Sequence, residues 1–359
     1  MPTRAISTTY RDDLRLFPSV YHKVALVLAA VAVVAYPFVV SSRWLLVGIA
    51  ALVTVVGAVG MMILTGFTGQ ISLGHAAFIA IGAYVAGGLA ANLGWPWWLT
   101  LPFGGLVAAA VGMAIGPFAL RLRGLYLAIV TLGLLFVVEH VIDHVTDRSL
   151  ASLRVQTYWW FNEPGSPSTF GTELLTLGPL EIGRAEQLYF LYIPIVLLTL
   201  WFTKNLLRSR TGRAMGAVRD RDIAASVMGI DIARVKVLAF GLSSFFAGLA
   251  GSMFTFHMRQ LTIGQFDLFM SVEYIAMVIL GGLGTVFGAV AGGLVFAMLG
   301  PFMEALTAGL PGIGDLTSAQ RETLAFAVVV IAFLVLEPLG LYGIWLRLKI
   351  YFAAWPFKY

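Results

Sequence analysis

Ten apolar runs dominate the chain, at residues 24–40, 44–65, 76–93, 97–120, 124–144, 188–203, 237–256, 268–282, 285–306 and 323–345. A hydrocarbon core of roughly 30 Å takes about 20 helical residues to cross, so the pattern predicts about ten transmembrane helices. Two runs are short: at about 1.5 Å per residue, 188–203 and 268–282 reach only about 24 and 22 Å. They must tilt little, thin the bilayer locally, or extend past these limits. Between the second and third runs the stretch Gly66 to His75 interrupts the apolar sequence with three glycines and several hydrogen-bonding side chains. Non-helical backbone at membrane depth survives only where protein covers it or where it lines a water-filled cavity. Gly66, Gly69, Gln70, Ser72, Gly74 and His75 are therefore candidates for a pathway or gate. For His75 a second role is open, as a neutral donor that holds the broken backbone together. A later glycine cluster, Gly281, Gly282 and Gly284, precedes another small-residue helix, and residues 69–90 weakly resemble 281–294. Paired interruptions of this kind point to transporter halves with a site between them.

Composition agrees with the pattern. Of 359 residues, 59% are hydrophobic and 11% charged, far below the roughly 25% charged of an average soluble domain. Mean hydropathy is +0.90. The fold class expected is an all-α polytopic membrane protein. Without cysteine there are no disulfides, thiolate metal sites or cysteine nucleophiles. The net charge of +5 is informative by position and carries no nucleic-acid meaning. Residues 204–236 hold Lys204, Arg208, Arg210, Arg213, Arg219, Arg221, Arg234 and Lys236, so this loop should be cytoplasmic. With ten spans, residues 1–23, the Arg121 to Arg123 turn and the tail 346–359 then also fall inside, and the connection 145–187 falls outside. The Gly66 to His75 break lies toward the cytoplasmic half. The segment 24–40 reads as a retained span, because residues 1–23 are too long and too charged for a signal-peptide start and no small-residue cleavage site follows.

Within the 204–236 loop, Asp222 is a good N-cap and Gly229 a good residue just past a helix end, which predicts a short helix over 223–228. It presents Ala224 and Ala225 amid basic residues and either caps the bundle or docks a cytoplasmic partner. The outer connection carries an aromatic cluster at residues 158–161, read as an interfacial belt or a docking surface. His140 and His144 share a helix face, but a metal would need a third ligand, and a hydrated helix end is the simpler reading. The small residues Gly82, Ala83, Ala86, Gly87 and Ala90 predict close helix packing.

Five blocks, 66–83, 122–132, 212–253, 279–293 and 337–343, resemble successive blocks of the branched-chain amino acid ABC-transporter permeases of the LivM type, in the family order. The resemblance implies a permease subunit that pairs with a homologous, LivH-like permease, two cytoplasmic ATPases and an extracytoplasmic solute-binding protein in the inner membrane. It makes the short helix the coupling helix, so Asp222, Ile223, Ala224, Ala225 and Gly229 become candidate ATPase contacts. Ile223 stands where the family motif has glutamate, and the downstream Ile-x-Leu-Pro element is absent.

The residues agree with such a division of labour. No G-x-x-x-x-G-K-[ST] loop is present, so phosphate binding in the usual cradle is excluded and energy comes from a partner or an ion gradient. Span centres are nearly free of charge, which disfavours proton coupling. No cofactor or metal is implied. The expected function is an ATP-driven importer subunit for branched-chain amino acids or related solutes such as urea, amides or aromatic acids. The alternative is a stand-alone secondary transporter or channel, and a membrane enzyme lacks any convincing catalytic set.

Overall fold

A computed structural model of the protein describes residues 33–93, 95–121, 124–147, 175–177, 180–182, 184–258, 261–307, 318–337 and 339–354. Residues 33–39 are helical. Twelve helices follow, α1 Ser42–Met61, α2 His75–Leu93, α3 Trp97–Arg121, α4 Leu125–Asp147, α5 Arg184–Arg208, α6 Arg210–Asp220, α7 Asp222–Val227, α8 Ile232–Met258, α9 Leu268–Gly281, α10 Val286–Thr307, α11 Ser318–Leu336 and α12 Gly340–Ala354. A π-helical segment, Met62–Phe67, extends α1, and a 3-10 turn, Ile263–Gln265, precedes α9. The described part of the outer connection contains one short antiparallel pair, β1 Leu175–Leu177 and β2 Leu180–Ile182. The aromatic cluster at 158–161 and most of the first predicted span lie outside the described residues.

Six helical segments are long and apolar enough to cross a membrane: Ser42–Phe67, Trp97–Pro117, Tyr126–His144, Ala185–Arg208, Ile232–Met258 and Ile263–Gly281. His75–Ala90 and Val286–Phe302 are apolar but shorter. The predicted run 188–203 was too narrow, since α5 holds 25 residues; α9 does stay short, at 14. The run 323–345 is not one helix. α11 ends at Leu336, and α12 starts at Gly340 with φ 65°, its amide donating to the Glu337 carbonyl at 2.8 Å. Pro338 has no N–H to donate to a continuing helix, and Gly340 accepts the left-handed conformation that a turn needs. The Arg347 guanidinium then clamps Glu337 across the break at 2.9 Å.

Burial separates a centre from a rim. In α1 and α8 about two thirds or more of the apolar window is buried, 67% and 72%, against 28% in α4 and 22% in α5. The exposed residues on α4 and α5 include Ile129, Phe136, Val137, Leu197, Leu198 and Trp201. Continuous apolar surface of this extent is not stable in water and fits a lipid-facing rim.

The predicted small-residue stripe on α2 is the contact with α8 and α3. The Gly82 backbone lies directly against Gly248, leaving no room for a Cβ on either. Ser252 and Thr255 of α8 donate to the carbonyls of Gly82 and Ala83 at 3.2 and 3.0 Å while each also bonds one turn back in its own helix. Hydroxyls that satisfy themselves across a close helix pair act as polar glue in lipid. Tyr192 of α5 donates to the Met253 carbonyl at 2.6 Å, which fastens the rim to the centre.

Candidate functional site

The glycine break begins as a π-helix, a form often found where a helix carries function. At its end the amides of Gly69 and Gln70 donate to the carbonyls of Thr65 and Leu64 at 3.2 and 3.1 Å. The side chains close the remaining valences. The Thr68 hydroxyl donates to Leu64 at 2.6 Å, Thr65 to the Gln70 carbonyl at 3.0 Å, and Gln70 Nε2 to the Thr68 hydroxyl at 3.0 Å. Gly69 has φ 69° and faces the exposed side, where Arg219 of α6 packs against it.

After the break the chain is braced from three directions. The Leu73 amide donates to the Thr131 hydroxyl at 3.0 Å, and a Cβ on Gly74 would stand 2.5 Å from the Thr131 carbonyl. The buried Ser72 hydroxyl accepts from the Gly74 amide at 3.3 Å. Ser271 of α9 accepts the Ala76 amide at 3.0 Å, which satisfies one of the free donors at the start of α2. His75 is buried, with Nε2 3.0 Å from the Gly57 carbonyl of α1; a carbonyl only accepts, so Nε2 carries the proton. Its ring packs on Tyr274, centroids 5.0 Å apart. Ser72, Gly74 and His75 thus fasten α2 to α1, α4 and α9.

The second glycine cluster meets the first. Gly282 and Gly284 turn the chain with φ 115° and 82°, and the Gly284 amide donates to the Met62 sulfur at 3.1 Å. Gly281 is packed directly on Gly288 of α10. Further along, Thr54 donates to the Gly293 carbonyl at 3.2 Å, so α10 runs antiparallel to α1, as α2 does after its own turn. The two predicted interruptions are therefore hairpin turns at the same end of the bundle.

The residues expected to contact an ATPase stand at that end too. α6 starts on a Ser209 cap, whose hydroxyl accepts the Gly212 amide at 3.2 Å, and buries Met215 and Val218. α7 is one residue earlier than predicted: Arg221 is the N-cap position and Asp222 the first helical residue. Its far end is a Schellman motif, with the Gly229 amide on the Ser226 carbonyl and the Ile230 amide on the Ala225 carbonyl, both at 3.0 Å, around Gly229 at φ 82°. The expectation that both alanines are presented is corrected. Ala224 is exposed, but Ala225 is 4% exposed and packs inward. The outward tip is apolar instead: Ile223, Val227 and Met228 are 68%, 82% and 82% exposed.

Gly69, Gln70, Asp222, Ile223 and Ala224 line one cavity of about 620 Å³, together with Arg219 and Lys236. Arg219 is the link that the sequence reading passed over as one basic residue among eight. Its guanidinium donates to the Gly66 carbonyl and lies against Gly284, so it touches both glycine turns from the residue pair preceding α7. Thr131 and Ser271 were also missed, because a lone hydroxyl in an apolar run gives no sign of which amide it will meet.

The family model for the permease component of branched-chain amino acid transport systems matches residues 44–336. The chain is 31% identical over 78% of its length to the high-affinity branched-chain amino acid transport system permease protein LivM of Escherichia coli (strain K12), covering 68% of that protein. It is 25% identical over 80% of its length to the corresponding LivH of the same organism, covering 90% of it. It is 26% identical over 77% of its length to the fructose import permease protein FruG of Bifidobacterium longum (strain NCC 2705), covering 77% of that protein. No solved structure matches. With glycine turns, a short exposed helix and an apolar rim in place, and with a match spanning most of its length, the chain belongs to the branched-chain amino acid transport permease family.

Proposed function

We propose that the chain is the permease subunit of an ATP-driven importer for branched-chain amino acids, working in the inner (cytoplasmic) membrane beside a LivH-like permease, two ATPases and an extracytoplasmic binding protein. In this reading it crosses the membrane ten times, with 1–23, 204–236 and 346–359 cytoplasmic and 145–187 outside. The observation that carries it is the join between α7 and the glycine turns: an exposed apolar tip at Ile223, Val227 and Met228, a firm Schellman stop, and Arg219 reaching to Gly66. An exposed apolar knob of this size calls for a partner surface. Closure of the ATPases would push on the knob, and Arg219 would carry the displacement to the turns at Gly66 and Gly284, which alter the packing of α1, α2 and α10. Gly66, Gly69, Gln70, Gly281, Gly282 and Gly284 act as the moving gate, whereas Ser72, Gly74 and His75 serve as its fixed anchor.

The test is purification of the complex from membranes, followed by reconstitution. Two ATPase chains and a second permease should accompany this subunit, and uptake of labelled leucine should need ATP and the binding protein. Leucine uptake by this chain alone would support a stand-alone carrier instead. Fructose, the solute in the name of one relative, belongs in the same assay, because uptake of fructose and not leucine would move the solute assignment while leaving the subunit architecture intact.

A further inference from the structure

The cavity between the glycine turn and α7 holds two buried polar groups that the fold leaves unanswered. Lys236, at the first turn of α8, is 9% exposed and lines the cavity, with no hydrogen bond or ion pair among the described residues. Gln70 is 6% exposed and lines it too, and its Oε1 has no partner. The orientation of that amide follows from its neighbour. The Thr68 hydroxyl spends its proton on the Leu64 carbonyl, so it can only accept from the amide, which puts Nε2 toward Thr68 and leaves Oε1 as the free acceptor. An ammonium and a carbonyl oxygen buried without partners each cost free energy that a ligand recovers. The ligand must offer an anion to Lys236 and an N–H donor to Gln70. Leu127 and Val218, both nearly fully buried, supply apolar wall, and about 620 Å³ suits a small molecule.

We propose that this cavity binds a zwitterionic α-amino acid with an apolar side chain from the coupling-loop side, and that its occupancy slows transport. The inference rests on the importer reading above and adds control by accumulated product. The walls come from two parts that must move relative to one another, the turn at Gly69 and Gln70 and the knob at Ile223 and Ala224. A ligand shifts such an equilibrium only by its differential affinity for the two arrangements, and one that touches both walls has that difference. Affinity need only be in the millimolar range, so that the site fills when the product accumulates.

The experiment uses the purified complex in inside-out proteoliposomes, with binding protein and labelled leucine in the lumen and ATP outside. Unlabelled leucine added outside should lower the initial rate about fivefold, the lower end of ordinary allosteric coupling. Each variant is compared with itself with and without external leucine. Lys236→Gln should lose most of this inhibition, and isovalerate or isoamylamine, each lacking one of the two charged groups, should inhibit native complex weakly. Transport that proceeds but ignores external leucine would overturn the inference alone, as would equal inhibition in native and Lys236→Gln complexes. Equal inhibition by glycerophosphoethanolamine would assign the cavity to a lipid headgroup and overturn it as well. No transport of labelled leucine at all would remove the importer reading for amino acids and this inference together.

Discussion

The Arg219 guanidinium donates to the carbonyl of Gly66, tying the end of α6 to the π-helical end of α1 across 153 residues of chain. A hydrogen bond from a charged group contributes about 1.5–3 kcal/mol when shielded, and less at a half-open site such as this. The bond holds the glycine turn in register with α7 rather than holding the bundle together, since α1 and α8 bury their own cores. Arg219→Ala should therefore lower the uptake rate about tenfold or more while the ATPases still co-purify and the thermal midpoint of the subunit barely moves. Arg219→Lys should rescue little, because an ammonium cannot reproduce the planar fork that meets Gly66 while lying on Gly284. Uptake at the native rate in both variants would end the role assigned to this contact.

The outward face of α7 gives a second prediction. Met228→Asp or Val227→Asp puts a charge on a tip that is 82% exposed in each case, where the isolated subunit has no packing to lose. Such surface changes ordinarily stay within about 0.5 kcal/mol of neutral in stability. The expected outcome is normal insertion and melting with loss of the ATPases on purification. Ala225→Arg should behave differently: that side chain points inward, so the variant should destabilise the α6 to α8 region itself, read as faster proteolysis of the 209–232 segment. If Met228→Asp retained the ATPases, another surface would have to bind them.

Which of these features the amino-acid pattern discloses depends on how each is encoded. Apolar runs locate α1 to α5 and α8 to α10 to within a few residues because crossing lipid imposes both length and composition. The same criterion joins α11 to α12, since the residues on either side of Glu337 are equally apolar and only the Pro338 and Gly340 pair marks the turn. The π-helical segment Met62–Phe67 leaves no compositional mark, because widening a helical turn changes hydrogen-bond partners and not residue types. A six-residue helix such as α7 completes fewer than two turns, too few for periodicity to say that Ala225 faces in and Ala224 out. Arg219 was hidden for a related reason. Its charge helps set the side of the loop, and nothing in that count distinguishes the one arginine that folds back onto Gly66.

The Schellman stop of α7 isolates a backbone effect. Gly229 has φ 82° and a Cβ placed there would meet nothing within 4 Å, so substitution costs conformational strain alone. Gly229→Ala should destabilise the loop by about 1 kcal/mol, and Gly229→Asn by less, because asparagine tolerates the left-handed region better. Hydrogen exchange of the Ile230 amide, bonded to Ala225, should speed up in the order native, Asn, Ala. Equal protection in all three would mean that the turn is held by its surroundings and not by its own geometry.

His75 and Ser271 separate anchoring from passage. His75 bridges α2 to the Gly57 carbonyl, which lies within α1 and keeps its own helical partner if the imidazole is lost. His75→Phe preserves a ring against Tyr274 and removes one hydrogen bond without stranding a donor, so it should cost about 1 kcal/mol. Ser271→Ala removes the only acceptor the fold places at the Ala76 amide among the described residues, leaving a buried N–H at the start of α2, and should cost more, about 1–3 kcal/mol. Thermal unfolding in one detergent ranks the two. The decisive comparison is transport per folded molecule: an anchor predicts that His75→Phe works at close to the native rate once its lower stability is allowed for. A His75→Phe protein that melts like the native chain and yet fails to transport would instead put the imidazole on the route of the solute.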